Sequence, residues 1–365
     1  MTLRPHQQKA REWADQYDRG LVVSPAGSGK TYMMAAIALD CMNTTGGTIG
    51  VLAPTNETCA QIYKSMEAMG IDMSFVEIRC PHSSVDFSRK EMVLIDECKH
   101  AVSDLWYNCL EKGFPNRLFG FDATPFRDFD DERNDALRRL FDNHILVIDP
   151  SEIGDSLCGA KVILSDATDP FLEDRINSNT ERLVRTRSRF MRIEEGELRA
   201  MCLWQSIIDI GIVNNVARNN QVVRWAKSHL EEQVLILVPS VTLGERYERL
   251  IPNSLCVHSK LGKPKRRKAM EDFKAGNLKC MIATSLADEG LDLPNAKVLI
   301  MVSGGRSTQK TIQRTARVLR SHHSKDGATI YDFNDLFHPT ATKHAQRRQA
   351  VYREMEYDIQ EEAVF

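Results

Sequence analysis

The run Ser24-Pro25-Ala26-Gly27-Ser28-Gly29-Lys30-Thr31 has residue types suited to one task, the wrapping of a phosphate. Side chains at positions 27 and 29 would block backbone N–H groups from phosphate oxygens, which is why glycine is needed there. Lys30 would reach the β- and γ-phosphates and Thr31 would offer its hydroxyl to Mg2+. The helix opened here would point its positive dipole end at the anion. Ser24 stands where the general pattern has its first glycine, so the strict form is not met. Further along, the apolar run EMVLIDE ends in adjacent carboxylates, Asp96 and Glu97, which can diverge to two tasks. Asp96 would hold Mg2+ through water, and Glu97 would orient and deprotonate an attacking water. Arg314, Arg317 and Arg320 of QRTARVLR lie three apart, on one face if the segment is helical. An arginine brought to a γ-phosphate from another domain contributes roughly 10³ to 10⁵ in rate. Near the start, Leu3-Arg4-Pro5-His6-Gln7 offers in Gln7 an amide that can pair with both the donor and the acceptor edge of adenine. A glycine turn, an acidic loop cap and a solvated basic helix would each explain one of these features. Only an ATP held between two lobes explains their order.

Short apolar runs of strand type alternate with helical patterns: GLVVSP, TIGVLAP, EMVLIDE and RLFGFDA, then QVLILVP, KCMIATS, KVLIMVS and ATIYDFN. Such alternation predicts parallel strands joined by helices, repeated in two α/β lobes. The expected layout is an ATP-binding domain over 1–130, a connector and the start of a second domain over 131–230, and the body of that domain over 231–340. A C-terminal helix over 341–365 would pack on it. Helices are predicted from Lys30 to Cys41, from Asn214 to Leu230, and from near Pro264, where Ala269, Met270 and Phe273 would be buried. The tail from about His338 to Ile359 reads as one more helix, with Ala345, Tyr352 and Ile359 spaced seven apart.

The chain has 365 residues, 42% of them hydrophobic and 27% charged, values typical of a globular protein with two cores. No apolar run approaches the roughly 18 residues needed to cross a bilayer, and the first residues lack the apolar stretch of a secretory signal. The expectation is a cytoplasmic protein of a bacterial or phage-infected cell, with no membrane partner. The nine cysteines are scattered, without zinc spacing, and read as reduced thiols. Cys98 reads as a small packing residue. A net charge of −2 does not announce a polyanion partner, but KPKRRK, RLVRTRSRF and the arginines of 306–320 are local basic clusters. The first of these reads as the exposed face of its helix.

Taken in order, LRPHQ, SPAGSGKT, VLAPT, DECKH, DATPFR, TSLADEGLDLP and QRTARVLR resemble the motif series of superfamily 2 helicases, most closely the DEAH-like DNA helicases of the phage UvsW and eukaryotic XPB group. The resemblance covers nearly the whole chain. It implies two tandem RecA-like domains, each a mostly parallel sheet with flanking helices, and an ATP cleft between them. It implies contacts to ATP from Arg4, Gln7, Pro25, Ala26, Gly27, Ser28, Gly29, Lys30, Thr31, Gly290 and Asp292. Mg2+ would fall to Thr31 and Asp96, and hydrolysis to Lys30, Asp96, Glu97, Gln313, Arg317 and Arg320. Pro54, Thr55, Ser240 and Thr284 would grip successive phosphates of one nucleic-acid strand, which positions a backbone without reading sequence. The implied activity is ATP-driven translocation on, or unwinding of, single-stranded or forked DNA in recombination, replication or repair.

Two departures bear on this reading. Lys99 stands where the family usually has histidine, with His100 one place later. Its permanent charge would lower the pKa of Asp96 and Glu97 or pair with a carboxylate elsewhere. No counterpart of motif Ib is evident in IRCPHSSVDFSRK, so the first lobe is expected to hold a strand less firmly. Backbone grips alone do not separate DNA from RNA, which leaves an RNA-stimulated helicase as one alternative. A weakly hydrolysing nucleic-acid-binding adaptor is another.

Overall fold

A computed structural model describes residues 2–25, 27–82, 84–111, 115–127, 130–149, 151–153, 159–166, 171–284, 295–302, 304–305, 307, 311, 314–315 and 327–362. The chain divides into two units, Met1–Ser156 and Leu157–Phe365.

The first unit runs α1 (Pro5–Ala14), β1 (Arg19–Val23), α2 (Lys30–Thr45), β2 (Ile49–Leu52), α3 (Asn56–Ala68), β3 (Val76–Arg79), β4 (Met92–Asp96), α4 (Asp104–Glu111), β5 (Arg117–Asp122), α5 (Asp131–Leu140) and β6 (Ile145–Val147). Its strands form one parallel sheet in the order β3-β2-β4-β5-β1-β6. Burial on both faces explains why these strands read as continuous apolar runs. Val22, Val51, Leu94 and Phe121 point into one core, while Leu21, Leu52, Val93 and Leu118 point into the other. The unit extends to Ser156 instead of ending near 130, because β6 pairs with β1 through Leu21↔Ile145 to Val23↔Val147.

The second unit runs β7 (Ala160–Ser165), α6 (Leu172–Arg187), α7 (Glu195–Ser206), α8 (Val216–Ser228), β8 (Val234–Val238), α9 (Val241–Leu250), β9 (Ser254–Val257), α10 (Lys263–Lys274), β10 (Cys280–Thr284), β11 (Val298–Met301), β12 (Ala328–Phe333), a C-terminal helix (Pro339–Glu354) and β13 (Asp358–Glu362). A π-helical stretch, Ile207–Val213, links α7 to α8. The strands are again parallel, in the order β13-β7-β12-β11-β8-β10-β9, with cores on both faces. The predicted helix to Ile359 ends at Glu354, and Ile359 lies in β13, paired with Val162 at the sheet edge. The period of seven matched the helix as far as Tyr352; beyond it, alternation in DIQEE marks a strand with one face on the sheet.

A buried ion network docks the C-terminal helix. Arg348 donates to both Asp332 oxygens at 2.8 and 3.0 Å, to Asp335 at 2.9 Å and to the carbonyls of Phe333 and Gly305 at 3.1 and 3.2 Å. Arg218 of α8 pairs with Asp335, donates to the Val302 carbonyl at 3.1 Å and lies 3.7 Å over the Phe333 ring. Among the described residues no single helix is long and apolar enough to cross a membrane.

Candidate nucleotide-hydrolysis site

In a parallel sheet all strand C-termini open on one edge, and loops there hold ligands. The order β4-β5-β1 puts the ends of three neighbouring strands together: Asp96 pairs with Phe121 and Asp122 with Val23, one residue before the glycine-rich loop. Asp122 thus stands between the loop and the Asp96-Glu97 pair, at strand spacings of roughly 4.8 Å.

The loop has the predicted backbone. Gly27 and Gly29 take φ of 89° and 80°, and Gly29 caps α2, so Lys30 and Thr31 open that helix. A Cβ at position 29 would lie 2.5 Å from Gln7 Nε2. The Lys30 ammonium donates to the carbonyls of Ser24 and Pro25 at 3.2 and 3.3 Å, and the buried Ser24 hydroxyl donates to Ser28 at 2.6 Å. From α1, Gln7 donates to the Ser28 carbonyl at 3.0 Å while its Oε1 accepts from the Arg4 N–H at 3.0 Å. His6 Nε2 lies 2.8 Å from the same Ser28 carbonyl, a contact that the sequence reading missed. The N-terminal helix and the loop are therefore one construction.

Glu97 adopts the left-handed conformation, φ 53° and ψ 49°, and leads into a 3-10 turn over Cys98–His100. Such a backbone costs a non-glycine residue about 1 to 3 kcal/mol and persists only where the surroundings enforce it. Here the turn brings Lys99 back onto the strand ends. Its side chain pairs with Glu97, lies 3.7 Å from Asp122 Oδ2, and its N–H donates to Asp122 at 3.2 Å. The other Asp122 oxygen accepts from the Thr124 N–H at 2.9 Å, so Lys99 ties DECKH to DATPFR. His100, one place later, stacks on Trp106. Cys98 is buried and packs over Gly120, where a Cβ would lie 2.8 Å from its own.

Electrostatics divide the carboxylates. Burial and the charge of Glu97 push Asp96 up to about 7, against the opposing pull of Lys30. Burial also pushes Glu97 up, but Lys99 outweighs it and holds the carboxyl below its ordinary value. Asp122 is raised by burial and by Glu97. Lys99 therefore lowers Glu97 and pairs with Asp122, as expected of it, but Asp96 moves opposite to expectation because burial and the charge of Glu97 outweigh the pull of Lys30.

These residues fit ATP and Mg2+. Gly27 and Gly29 hold positive φ, and at Gly29 a Cβ would strike the Gln7 amide, so the loop backbone keeps the tight turn a phosphate needs; a divalent cation would relieve the negative charge that raises Asp96. Thr31 and Asp96 would hold that ion. Among the described residues no three His, Cys, Asp or Glu side chains form a metal cluster, so phosphate oxygens and water would complete its shell.

Two of the strand-gripping candidates hold equivalent places in their units. Thr55, after Pro54 and β2, caps α3 by accepting the Thr58 N–H at 3.1 Å; Ser240, after β8, caps α9 by accepting the Leu243 N–H at 3.3 Å. Thr284 ends β10, 6% exposed, its hydroxyl without a hydrogen-bond partner among the described residues. Arg314 is buried. Ala26, Gly290, Asp292, Gln313, Arg317 and Arg320 lie outside the described residues.

Comparison with known proteins agrees with this architecture. Residues 216–322 match the helicase conserved C-terminal domain, and residues 2–112 match an AAA domain. The chain is 24% identical over 339 residues to the ATP-dependent RNA helicase DBP3 of Yarrowia lipolytica, covering 85% of this chain and 58% of that one. It is 22% identical over 361 residues to the DNA 3'-5' translocase XPB2 of Sulfurisphaera tokodaii, covering 87% of this chain and 78% of that one. The structure of S. cerevisiae Dbp5 bound to RNA and ADP BeF3 superposes with a TM-score of 0.63 at 15% identity, covering 100% of this chain and 90% of that one. Each unit has the parallel-sheet α/β fold of a RecA-like domain, and the chain spans about half the length, or less, of the first curated relatives it matches.

Proposed function

We propose that this chain is a nucleic-acid-dependent ATPase that moves along DNA. ATP would sit in a cleft between the two units, with Gln7 and Arg4 at the adenine and residues 25–31 around the phosphates. Bound Mg2+ would neutralise the phosphate charge that otherwise repels a nucleophile. Asp96 would orient the metal's water shell. Glu97, kept ionised by Lys99, would accept a proton from the attacking water. Gly290, Asp292, Gln313, Arg317 and Arg320 would complete the site from the second unit, the arginines facing charge that develops on the γ-phosphate.

Movement needs a state whose affinity for the track differs from the other. Thr55 with Pro54 in one unit and Ser240 with Thr284 in the other are the proposed grips. A capping hydroxyl accepts an N–H from its helix, which leaves the Ser240 proton to donate to a phosphate; the Thr55 hydroxyl also lies 2.9 Å from that of Thr58, and would donate to a phosphate when Thr58 is the donor of that pair. Closure around ATP would shorten the distance between grips and hydrolysis would restore it. The resemblance of the motif series to DNA helicases and the similarity to a DNA translocase support DNA, whereas similarity to RNA helicases supports the alternative.

The observation that carries the reading is the Lys30, Asp96, Glu97, Lys99 and Asp122 cluster beside a glycine phosphate cradle. ATP turnover measured with single-stranded DNA, duplex, forks and RNA, for the wild type and Glu97→Gln, tests it. Stimulation by DNA that Glu97→Gln abolishes is expected. Stimulation by RNA alone would replace DNA as the track, and nucleic-acid binding without any turnover would leave an adaptor.

A further inference from the structure

The basic cluster RLVRTRSRF has no part in hydrolysis, and the structure gives it a distinct setting. Helices α6 and α7 form an antiparallel hairpin on the second unit. Its shaft is fixed by Leu172, Ile176, Leu198 and Cys202, all buried, and by Asn179 donating to Ser206 at 3.0 Å. The connecting turn over 188–194 carries Phe190, 83% exposed, with Met191 and Ile193 also exposed. Segment 182–193 holds Arg182, Arg185, Arg187, Arg189 and Arg192 and no acidic residue. Arg182 and Arg187 are occupied by Asn179 and Gln205. Arg185, Arg189 and Arg192 are exposed at the tip and form no ion pair among the described residues. The nearest acids are Glu194, the last residue of the turn and the N-cap of α7, and Glu195 and Glu197 in the first turn of that helix, where they suit the helix dipole. Glu181, at the other flank, is already paired with Arg199.

A large aromatic ring left in water at the end of a rigid arm is costly unless something covers it. Cations around it rule out a cationic partner and favour an anionic one. Single-stranded nucleic acid offers both complements, a π-face for the ring and phosphates at either side for the guanidinium groups.

We infer that the hairpin tip is a second nucleic-acid contact, in which Phe190 stacks on an unpaired base and Arg185, Arg189 and Arg192 hold the flanking phosphates. This deepens the proposed function by assigning a base-level contact to a machine whose other grips touch only backbone. A base is free to stack where a strand has left its duplex, so the tip engages the single-stranded side of a fork in preference to blunt duplex.

The test is equilibrium binding of the full chain, without ATP, to a forked DNA carrying 2-aminopurine in its single-stranded arm, compared with blunt duplex. Phe190→Ala is expected to weaken fork binding by roughly 5- to 100-fold and to abolish the stacking-dependent fluorescence change, with Phe190→Trp restoring both. Replacing Arg185, Arg189 and Arg192 by alanine together should lower the slope of log affinity against log salt by about 2. Side chains this exposed should leave the Tm unchanged, which separates the effect from misfolding. Fork affinity, fluorescence and salt slope all unaltered in the variants would overturn the inference, as would retention of anionic vesicles with no effect on nucleic acid. Wild-type ATP turnover with and without nucleic acid is read separately. Lack of stimulation there, with binding lost in the variants, would reject the ATPase reading and keep the hairpin contact.

Discussion

In its proposed role Glu97 must be ionised, close to a water and correctly aimed, and Lys99, a permanent cation two residues on, favours the ionised form. Lys99 holds Glu97 and reaches Asp122, so one ammonium orients a carboxylate from each of two motifs. Removing it leaves a buried and a half-buried carboxylate without the cation between them, and a displacement of about 1 Å in such a site can cost roughly 10²-fold in rate. Lys99→Met is therefore expected to reduce ATP turnover by roughly 10- to 100-fold. Asp122→Asn should do much the same, and the double substitution should be less severe than the product of the two. Multiplicative losses in that cycle would show that the residues act independently. Asp96 makes a prediction of opposite sign. Its pKa rises from the ordinary 3.8 to about 7 on folding, so the native state keeps a proton that the unfolded chain has released. Stability then falls as pH rises from about 4 to about 7 and stays low above that range. Without Mg2+, Asp96→Asn should raise the Tm by several degrees at pH 8 and change it little at pH 4. A lower Tm at pH 8 would mean that the ionised carboxylate is stabilised by something other than Lys30.

At the scale of elements, the two helical devices of the second unit differ in what they require. The C-terminal helix depends on charge: Arg348, 1% exposed, joins Asp332, Asp335 and the carbonyls of Phe333 and Gly305. Breaking a buried pair by removing one partner costs about 3 to 5 kcal/mol, because the remaining charges lose their compensation. Arg348→Met should therefore lower stability in urea by about that amount, and a loss below about 1 kcal/mol would show that Arg218 and Tyr352 suffice for both aspartates. Nothing in the sequence announced this network. KHAQRRQAVYREM looks like an ordinary basic helix, and only packing shows that one arginine of the pair 347–348 turns inward. The strands that were legible, such as MVLID and VLILV, are those buried on both faces. VEIR, ILV and SLCV were missed because they are short and lie at or next to the sheet edges, where half-burial weakens the pattern. In the site, the glycine loop and the Asp96-Glu97 pair could be read because their chemistry demands particular residues at fixed spacing. The partnership of Lys99 with Asp122 could not, since it depends on β5 lying between β4 and β1, an order that linear spacing does not encode.

For the molecule as a whole, each unit has a parallel sheet with a core on both faces, and their boundary falls between Ser156 and Leu157. Units of about 150 residues or more bury enough surface to fold alone. All the described groups around the phosphate loop come from the first unit, so residues 1–156 expressed alone should unfold in one cooperative transition and bind Mg-ATP. The proposed arginines come from the second unit. If they stabilise the transition state, the isolated first unit should turn over ATP at least about 10³-fold more slowly than the full chain saturated with nucleic acid. Arg317→Ala and Arg320→Ala in the full chain should approach the same low rate without abolishing ATP binding, because an arginine finger acts on the transition state more than on the ground state. ATP affinity by calorimetry and turnover by phosphate release separate the two effects. Equal turnover by residues 1–156 and the full chain would exclude catalysis shared between units. Equal turnover by the arginine variants and the wild type would confine the second unit to gripping the strand.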